Sequence, residues 1–308
     1  MIAGSAVAHY AEYYALRGAV GALKRLGFAR AGSVGERIGA LGYRPLAIRR
    51  AVVERQIRAA FPGLGDAEVH RIARASYEHL GRTSIETALL PGYSREQLLD
   101  LFERVDGWPV VERALAAGRG FLIVAGHLGN WELGGAFIAA RGVPLEAVAR
   151  RMQNPLFDRY LTETRRRLDI TVIHDADAVR RVPRATREGR AVGFLVDQGA
   201  VGLASTWVPF FGRFAKTPRG PAVFALRLGI PVVFGCAMRQ PSGRFVMHFE
   251  EVPVEPTGDR EADVDRIVAA YTATLERWVR RVPEQYFWHH RRWKHQRPGT
   301  PPELGDPS

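Results

Sequence analysis

The segment Gly126-His127-Leu128-Gly129-Asn130-Trp131-Glu132 follows directly on the apolar run Phe121–Ala125, FLIVA. Histidine titrates near neutrality, and it serves as a general base when one ring nitrogen is held by a partner and the other is free. His127 and Glu132 are five positions apart. On one continuous helix they would stand about 140° apart and share no face. If His127 lies in a loop and the helix starts near Asn130, Glu132 falls in the first turn. From there it can fold back toward the imidazole, fix the tautomer and leave the other nitrogen as a general base. The helix dipole alone also favours a glutamate in a first turn, and a loop histidine can be merely hydrogen-bonded. The spacing by itself leaves these readings open.

Other reactive residue types are sparse. The lone cysteine, Cys236, ends the apolar run IPVVFGC and reads as core. A single cysteine excludes a disulfide framework and a cysteine-based metal cage. Ala31-Gly32-Ser33-Val34-Gly35 approaches the nucleophile elbow of hydrolases, but it starts on alanine and no strand precedes it. His289, His290 and His295 have no familiar metal-ligand spacing and read as a polar cluster. No dinucleotide or P-loop fingerprint occurs, so no cofactor is expected.

The elements around these residues divide the chain in two. The first hundred residues read as helical, over about 6–26, 46–60, 66–90 and 95–104. Short apolar runs then alternate with helical patterns. Strands are expected at Phe121–Ala125, Leu145–Ala149, Ile170–Ile173, Ala191–Val196, Ile230–Cys236 and Phe245–Phe249. Helices are expected at about 131–141, 155–168, 176–188, 218–228 and 261–281. This alternation predicts an α/β fold, a largely parallel sheet with helices on both faces, preceded by a helical N-terminal region. His127 would then follow the carboxyl end of a strand, where open α/β sheets bind ligands.

The chain has 308 residues and a net charge of +12, with 46% hydrophobic and 25% charged residues. That composition is globular and excludes disordered and fibrous classes. All but Lys24, Lys216 and Lys294 of the 44 basic residues are arginine, which suits phosphate or carboxylate partners. The stretch from Ile2 to Phe28 carries His9, Glu12, Arg17, Lys24 and Arg25 and is too polar for a confident membrane span. Residues 1–30 are read as an amphipathic, membrane-associating helix, with an ordinary solvated helix as the alternative. Residues 31–297 form one α/β domain, and 298–308, rich in Pro and Gly, a disordered tail.

Several of these pieces, in order over roughly residues 8–298, resemble the late acyltransferases of bacterial lipid A biosynthesis, the lauroyl/myristoyl transferase family. The pieces are the GHLGNWE segment, Arg150 before Asn154-Pro155-Leu156, Asp197-Gln198-Gly199 after AVGFLV, Val208–Gly212 (VPFFG), Thr217-Pro218, Ala225–Val232, and Pro283–Lys294 (PEQYFWHHRRWK). The chain departs from the family pattern in lacking a convincing N-terminal anchor and in having Ala149, not Tyr, before Arg150.

The resemblance implies transfer of a fatty acyl chain from acyl carrier protein or acyl-CoA to a hydroxyl of a membrane glycolipid. The acceptor is read as a lipid A precursor, with a phosphatidylinositol mannoside as the alternative. On this reading His127 is the base, Glu132 orients it, and no covalent acyl-enzyme forms. Arg150 and amides near the helix start offer oxyanion donors. Asn130, Asp197, Gln198, Arg219, Arg291 and Arg292 complete the candidate substrate-binding set, with Lys294 beside them. The enzyme is placed peripherally or monotopically at the cytoplasmic face of the inner membrane, on an anionic surface. The rival of a different class, a nucleic-acid binder using the WHHRRWKHQR run, lacks a recognisable binding motif.

Overall fold

The computed structural model describes residues 10, 13, 14, 17, 18, 20–152, 154–199 and 202–307. The described positions from Tyr10 to Leu23 are helical; much of the expected membrane-associating helix lies outside the described residues. Helices α1 (Phe28–Tyr43), α2 (Arg50–Ala60), α3 (Asp66–Leu89) and α4 (Arg95–Asp100) precede the sheet. Helix α1 was not anticipated, because its glycines depress helix propensity. They are needed for close packing: a Cβ at Gly39 would lie 2.0 Å from the Tyr77 carbonyl oxygen of α3.

Then follow β1 (Phe102–Asp106), α5 (Trp108–Ala116), β2 (Phe121–Ala125), α6 (Trp131–Ala140), β3 (Leu145–Ala149) and α7 (Pro155–Arg166). Next come β4 (Ile170–His174), α8 (Ala178–Arg187), β5 (Ala191–Leu195), β6 (Ser205–Phe210), β7 (Arg213–Pro218) and α9 (Gly220–Leu228). The chain ends with β8 (Val232–Arg239), β9 (Phe245–Val252) and α10 (Arg260–Arg281).

Seven strands form one sheet in the order β1-β9-β8-β2-β5-β3-β4. The five from β8 to β4 run parallel, β9 returns antiparallel to β8, and β1 lies parallel to β9. The central strand FLIVA is buried on both sides, as a strand covered by helices on both faces must be. One core cluster joins α2, α3, α9 and α10 to one face of the sheet, and a second joins α5 and α6 to the other.

The expected α/β architecture is present, with differences at the edges. The helix expected over 95–104 stops at Asp100, because the following FERVD segment pairs with β9 as the edge strand. Its polar residues gave no apolar signal. The β6–β7 hairpin forms a separate two-stranded sheet. The terminal segment expected to be disordered carries a 3-10 turn at Pro302–Leu304, and Arg213 donates to the Gly305 carbonyl at 3.0 Å.

Candidate active site

The site begins with strand register. In the parallel pair β2/β5, Ala125 stands beside Leu195. Two residues beyond each, His127 and Asp197 meet although they lie 70 positions apart in the chain. The His127 Nδ1 is 2.7 Å from Asp197 Oδ1, and the His127 amide donates to Oδ2 at 2.9 Å. Both carboxylate oxygens are therefore engaged by one residue. With Asp197 ionised, the proton sits on Nδ1 and the lone pair on Nε2.

The electrostatics agree with that assignment. Burial works against a charged imidazole, but the Asp197 charge and hydrogen bond outweigh it and raise the His127 pKa above its ordinary value. Glu132 adds a smaller push in the same direction. Burial likewise disfavours the Asp197 carboxylate. His127, by charge and by two hydrogen bonds, overrides this and holds Asp197 down at about 2. The buried Tyr286 hydroxyl also bonds Asp197, and burial drives its own pKa well above the usual value.

Glu132 does not reach the imidazole. It sits in the first turn of α6, as expected, but pairs with Arg165 of α7, whose Nη2 lies 2.5 Å from Oε1 and Nε 3.1 Å from Oε2. The carboxylate that holds His127 is Asp197. Helix α6 carries Glu132 away from the loop, and the adjoining strand end supplies the nearer acid. Sequence reasoning missed Arg165, which sits in a run of three arginines where only Arg165 is largely covered.

Three contacts fix the loop. Asn130 accepts from the Leu133 amide at 3.0 Å, capping α6, and its Nδ2 donates to the fully buried Glu86 at 3.1 Å. Both ends of Asn130 are thus used in positioning. Glu86 also pairs with Arg82 and Arg239. His79 bonds the Gly129 carbonyl at 3.0 Å, and burial lowers its pKa to about 4, keeping it neutral. Gly129 has φ +62, and a Cβ there would lie 2.1 Å from the Ala237 carbonyl oxygen, so only glycine fits.

The C-terminal motif closes over the same loop. The Gly129 amide donates to the Gln285 carbonyl and the Phe287 amide to the His127 carbonyl, both at 3.0 Å. Gln56 of α2 clamps the next residues: its Nε2 donates to the carbonyls of Trp288 and His290, and its Oε1 accepts from the Arg292 amide.

The other sequence candidates are dispersed. Gln198 approaches His127, its Nε2 at 3.3 Å from Nδ1 and 3.4 Å from the imidazole Nε2. Arg150 is exposed at the end of β3 and lies 3.9 Å from Asp175. Arg219 pairs with Glu261 at 2.7 Å, and Arg291 pairs with Asp306. Arg292 is buried and donates to the Lys216 carbonyl and Thr217 Oγ1, with its charge helping to depress Asp197. Lys294 is exposed. Phe210 and Phe211 belong to the core.

Gly126 and Leu128, on either side of His127, line a cavity of about 100 Å³ between α6 and the sheet. Its walls are apolar and small, with Gly134, Gly135, Gly193 and Gly235 among them. Glu132 and Arg165 are its charged lining residues. Cys236 lies in the wall, its thiol pushed far above the ordinary value by burial, so it holds little thiolate. Ser33 sits within α1, its hydroxyl bonded to the Ala29 carbonyl, and is no strand-to-helix elbow. Trp288 and Trp293 are each 1% exposed and offer no stacking face to a base. Among the described residues no three metal-ligating side chains converge.

The largely parallel sheet thus carries a carboxylate-held histidine at its strand ends, with an apolar cavity alongside. Residues 5–295 match the family described as "Bacterial lipid A biosynthesis acyltransferase", and the chain belongs to it. It is an acyl-transferring enzyme. It is 28% identical to the lipid A biosynthesis palmitoleoyltransferase of Escherichia coli K12 over 265 residues, 85% of this chain and 84% of the relative. Against the lauroyltransferase of the same organism it is 26% identical over 266 residues, 86% and 85% of the two chains. A phosphatidylinositol mannoside acyltransferase of Mycobacterium tuberculosis matches at 29% over 161 residues, half of each chain.

Proposed function

We propose that this enzyme moves a fatty acyl chain from a thioester carrier, acyl carrier protein or acyl-CoA, to a hydroxyl of a lipid A-like glycolipid at the cytoplasmic face of the inner membrane. The observation that carries this reading is the His127–Asp197 pair, 2.7 Å apart, at the side of an apolar cavity. The acceptor hydroxyl gives its proton to His127 Nε2 as its oxygen attacks the thioester carbonyl. Asp197 stabilises the imidazolium that forms. The tetrahedral oxyanion collapses to an ester and expels the thiolate, which takes the proton back from His127. The products are the acylated glycolipid and the free thiol, and no acyl-enzyme intervenes.

Glu132 keeps a catalytic part, exerted through Arg165. The pair anchors the guanidinium beside the cavity, where it offers charge to the thioester oxygen, while Glu132 also favours the imidazolium through space. The amides of Trp131 and Glu132, in a helix turn without intrahelical acceptors, are further oxyanion donors. The extent of the match to the Escherichia coli enzymes favours a lipid A precursor over a mannoside acceptor, since the mannoside relative matches only half the chain.

The test is transfer of a radiolabelled acyl group from acyl carrier protein to a detergent-dispersed lipid A precursor, with the product weighed by mass spectrometry. Wild-type protein adds one chain, and His127→Ala adds none while remaining folded. Transfer by both would remove His127 from the mechanism. Transfer by neither to this acceptor, but to a phosphatidylinositol mannoside, would select the other glycolipid.

A further inference from the structure

Four exposed aliphatic side chains gather where α1 ends. Ile38 and Leu41, one turn apart on α1, are 53% and 52% exposed, and Leu46 and Ile48 just beyond are 65% and 54% exposed. The four form one patch. The Leu46 amide donates to the Leu41 carbonyl and the Ile48 amide to the Gly42 carbonyl, folding the turn back on the helix end. Exposed Arg37, Arg44 and Arg49 lie between and beside these side chains. Among the described residues none of the three has an ion-pair partner. The nearby carboxylates are already engaged, Glu36 with Arg82 and Glu54 with Arg50 and the Tyr43 hydroxyl.

We propose that this tip is a docking face for an anionic lipid bilayer. Four aliphatic side chains enter the acyl boundary, and the arginines remain at headgroup level against phosphate. An acidic protein could use the arginines, but it would not want four aliphatic side chains standing out from them. The platform is rigid, since α1 packs backbone to backbone on α3 at Gly39 and Tyr77. It also leads to the site. The Tyr77 hydroxyl donates to the Ile48 carbonyl, the Tyr77 ring packs edge-on against His289 at 4.2 Å, His289 stacks on Phe287 at 5.3 Å, and Phe287 lies 5.9 Å from His127. A glycolipid drawn from the bilayer at this tip enters beside the catalytic imidazole. This deepens the membrane-glycolipid reading above, but it is tested without turnover.

The experiment is co-sedimentation of the full chain with vesicles of phosphatidylethanolamine and phosphatidylglycerol, and with phosphatidylcholine vesicles. The variants are Leu46→Asp/Ile48→Asp and Arg44→Gln/Arg49→Gln, with unchanged circular dichroism and melting temperature as the folding control. The aspartate pair lowers partitioning to anionic vesicles by about tenfold or more. The glutamine pair lowers it by roughly fivefold per residue and narrows the preference over phosphatidylcholine accordingly. A Leu46→Trp variant shifts its fluorescence to the blue on binding. Partitioning unchanged in both double variants would overturn the proposal. So would light scattering that shows the aspartate pair dissolving a dimer while vesicle binding persists. Failure of acyl transfer with intact vesicle binding would count against the functional reading alone.

Discussion

Asp197→Asn keeps the shape of the side chain beside His127 and removes its charge. The imidazole then loses both the proton-holding acceptor and the partner that stabilises its charged form. We expect kcat/KM to fall by on the order of 10³–10⁴, as when other carboxylate-supported histidine bases lose their charge. Glu132→Gln, which touches Arg165 instead, gives the smaller loss; a larger loss there would return the orienting role to Glu132. The pH profile gives a second check. His127 must be neutral to accept a proton, and its pKa is raised, so kcat/KM climbs with pH through a value above the ordinary imidazole range. In Asp197→Asn the two largest raising causes vanish, burial remains and Glu132 adds only its smaller push, so this limb moves to lower pH. A limb that stays in place would mean that another group is titrating. At this scale the sequence was legible in part. His127 stood out because it follows FLIVA. Asp197 was found only as a motif residue of the substrate-binding set and not as the partner of His127, because their contact depends on a strand register spanning 70 positions. The Glu132 partner was misjudged because local spacing says nothing of α7.

Helix α6 and the strands beneath it set the cavity, and two substitutions test what they do. A Cβ at Gly135 would meet only Ile170 and Leu145, at 3.5 and 3.9 Å, and Gly135 lines the cavity, so a larger residue there takes up cavity space. Gly135→Leu should shift donor preference to shorter acyl chains, read by competition among thioesters of graded length. Each methylene kept out forfeits about 0.8 kcal/mol of burial. An unchanged length profile would place the acyl chain elsewhere. Helix α3 supplies the other support. Glu86→Ala leaves Arg82 and Arg239 without their shared buried carboxylate and frees Asn130. The expected loss is about 3–5 kcal/mol of stability, measured by chemical unfolding; a loss below 1 kcal/mol would show the network to be dispensable. The sequence showed the sheet through its apolar runs. It hid α1 behind glycines whose purpose is visible only against α3, and it hid edge strand β1 behind polar residues.

Across the whole molecule the net charge of +12 acts at a distance. An acidic donor such as acyl carrier protein should be captured faster at low ionic strength. The kcat/KM for acyl carrier protein is expected to fall as salt rises from 20 to 300 mM, while that for an uncharged acyl-pantetheine stays level. Equal responses would show that charge steering plays no part. The pairing of Gln285 and Phe287 with Gly129 and His127 has a temporal meaning. The loop that bears His127 is finished by hydrogen bonds with a segment synthesised more than 150 residues later. A nascent chain emerging from the ribosome therefore carries every strand of the sheet before the contacts that hold His127 in place can form.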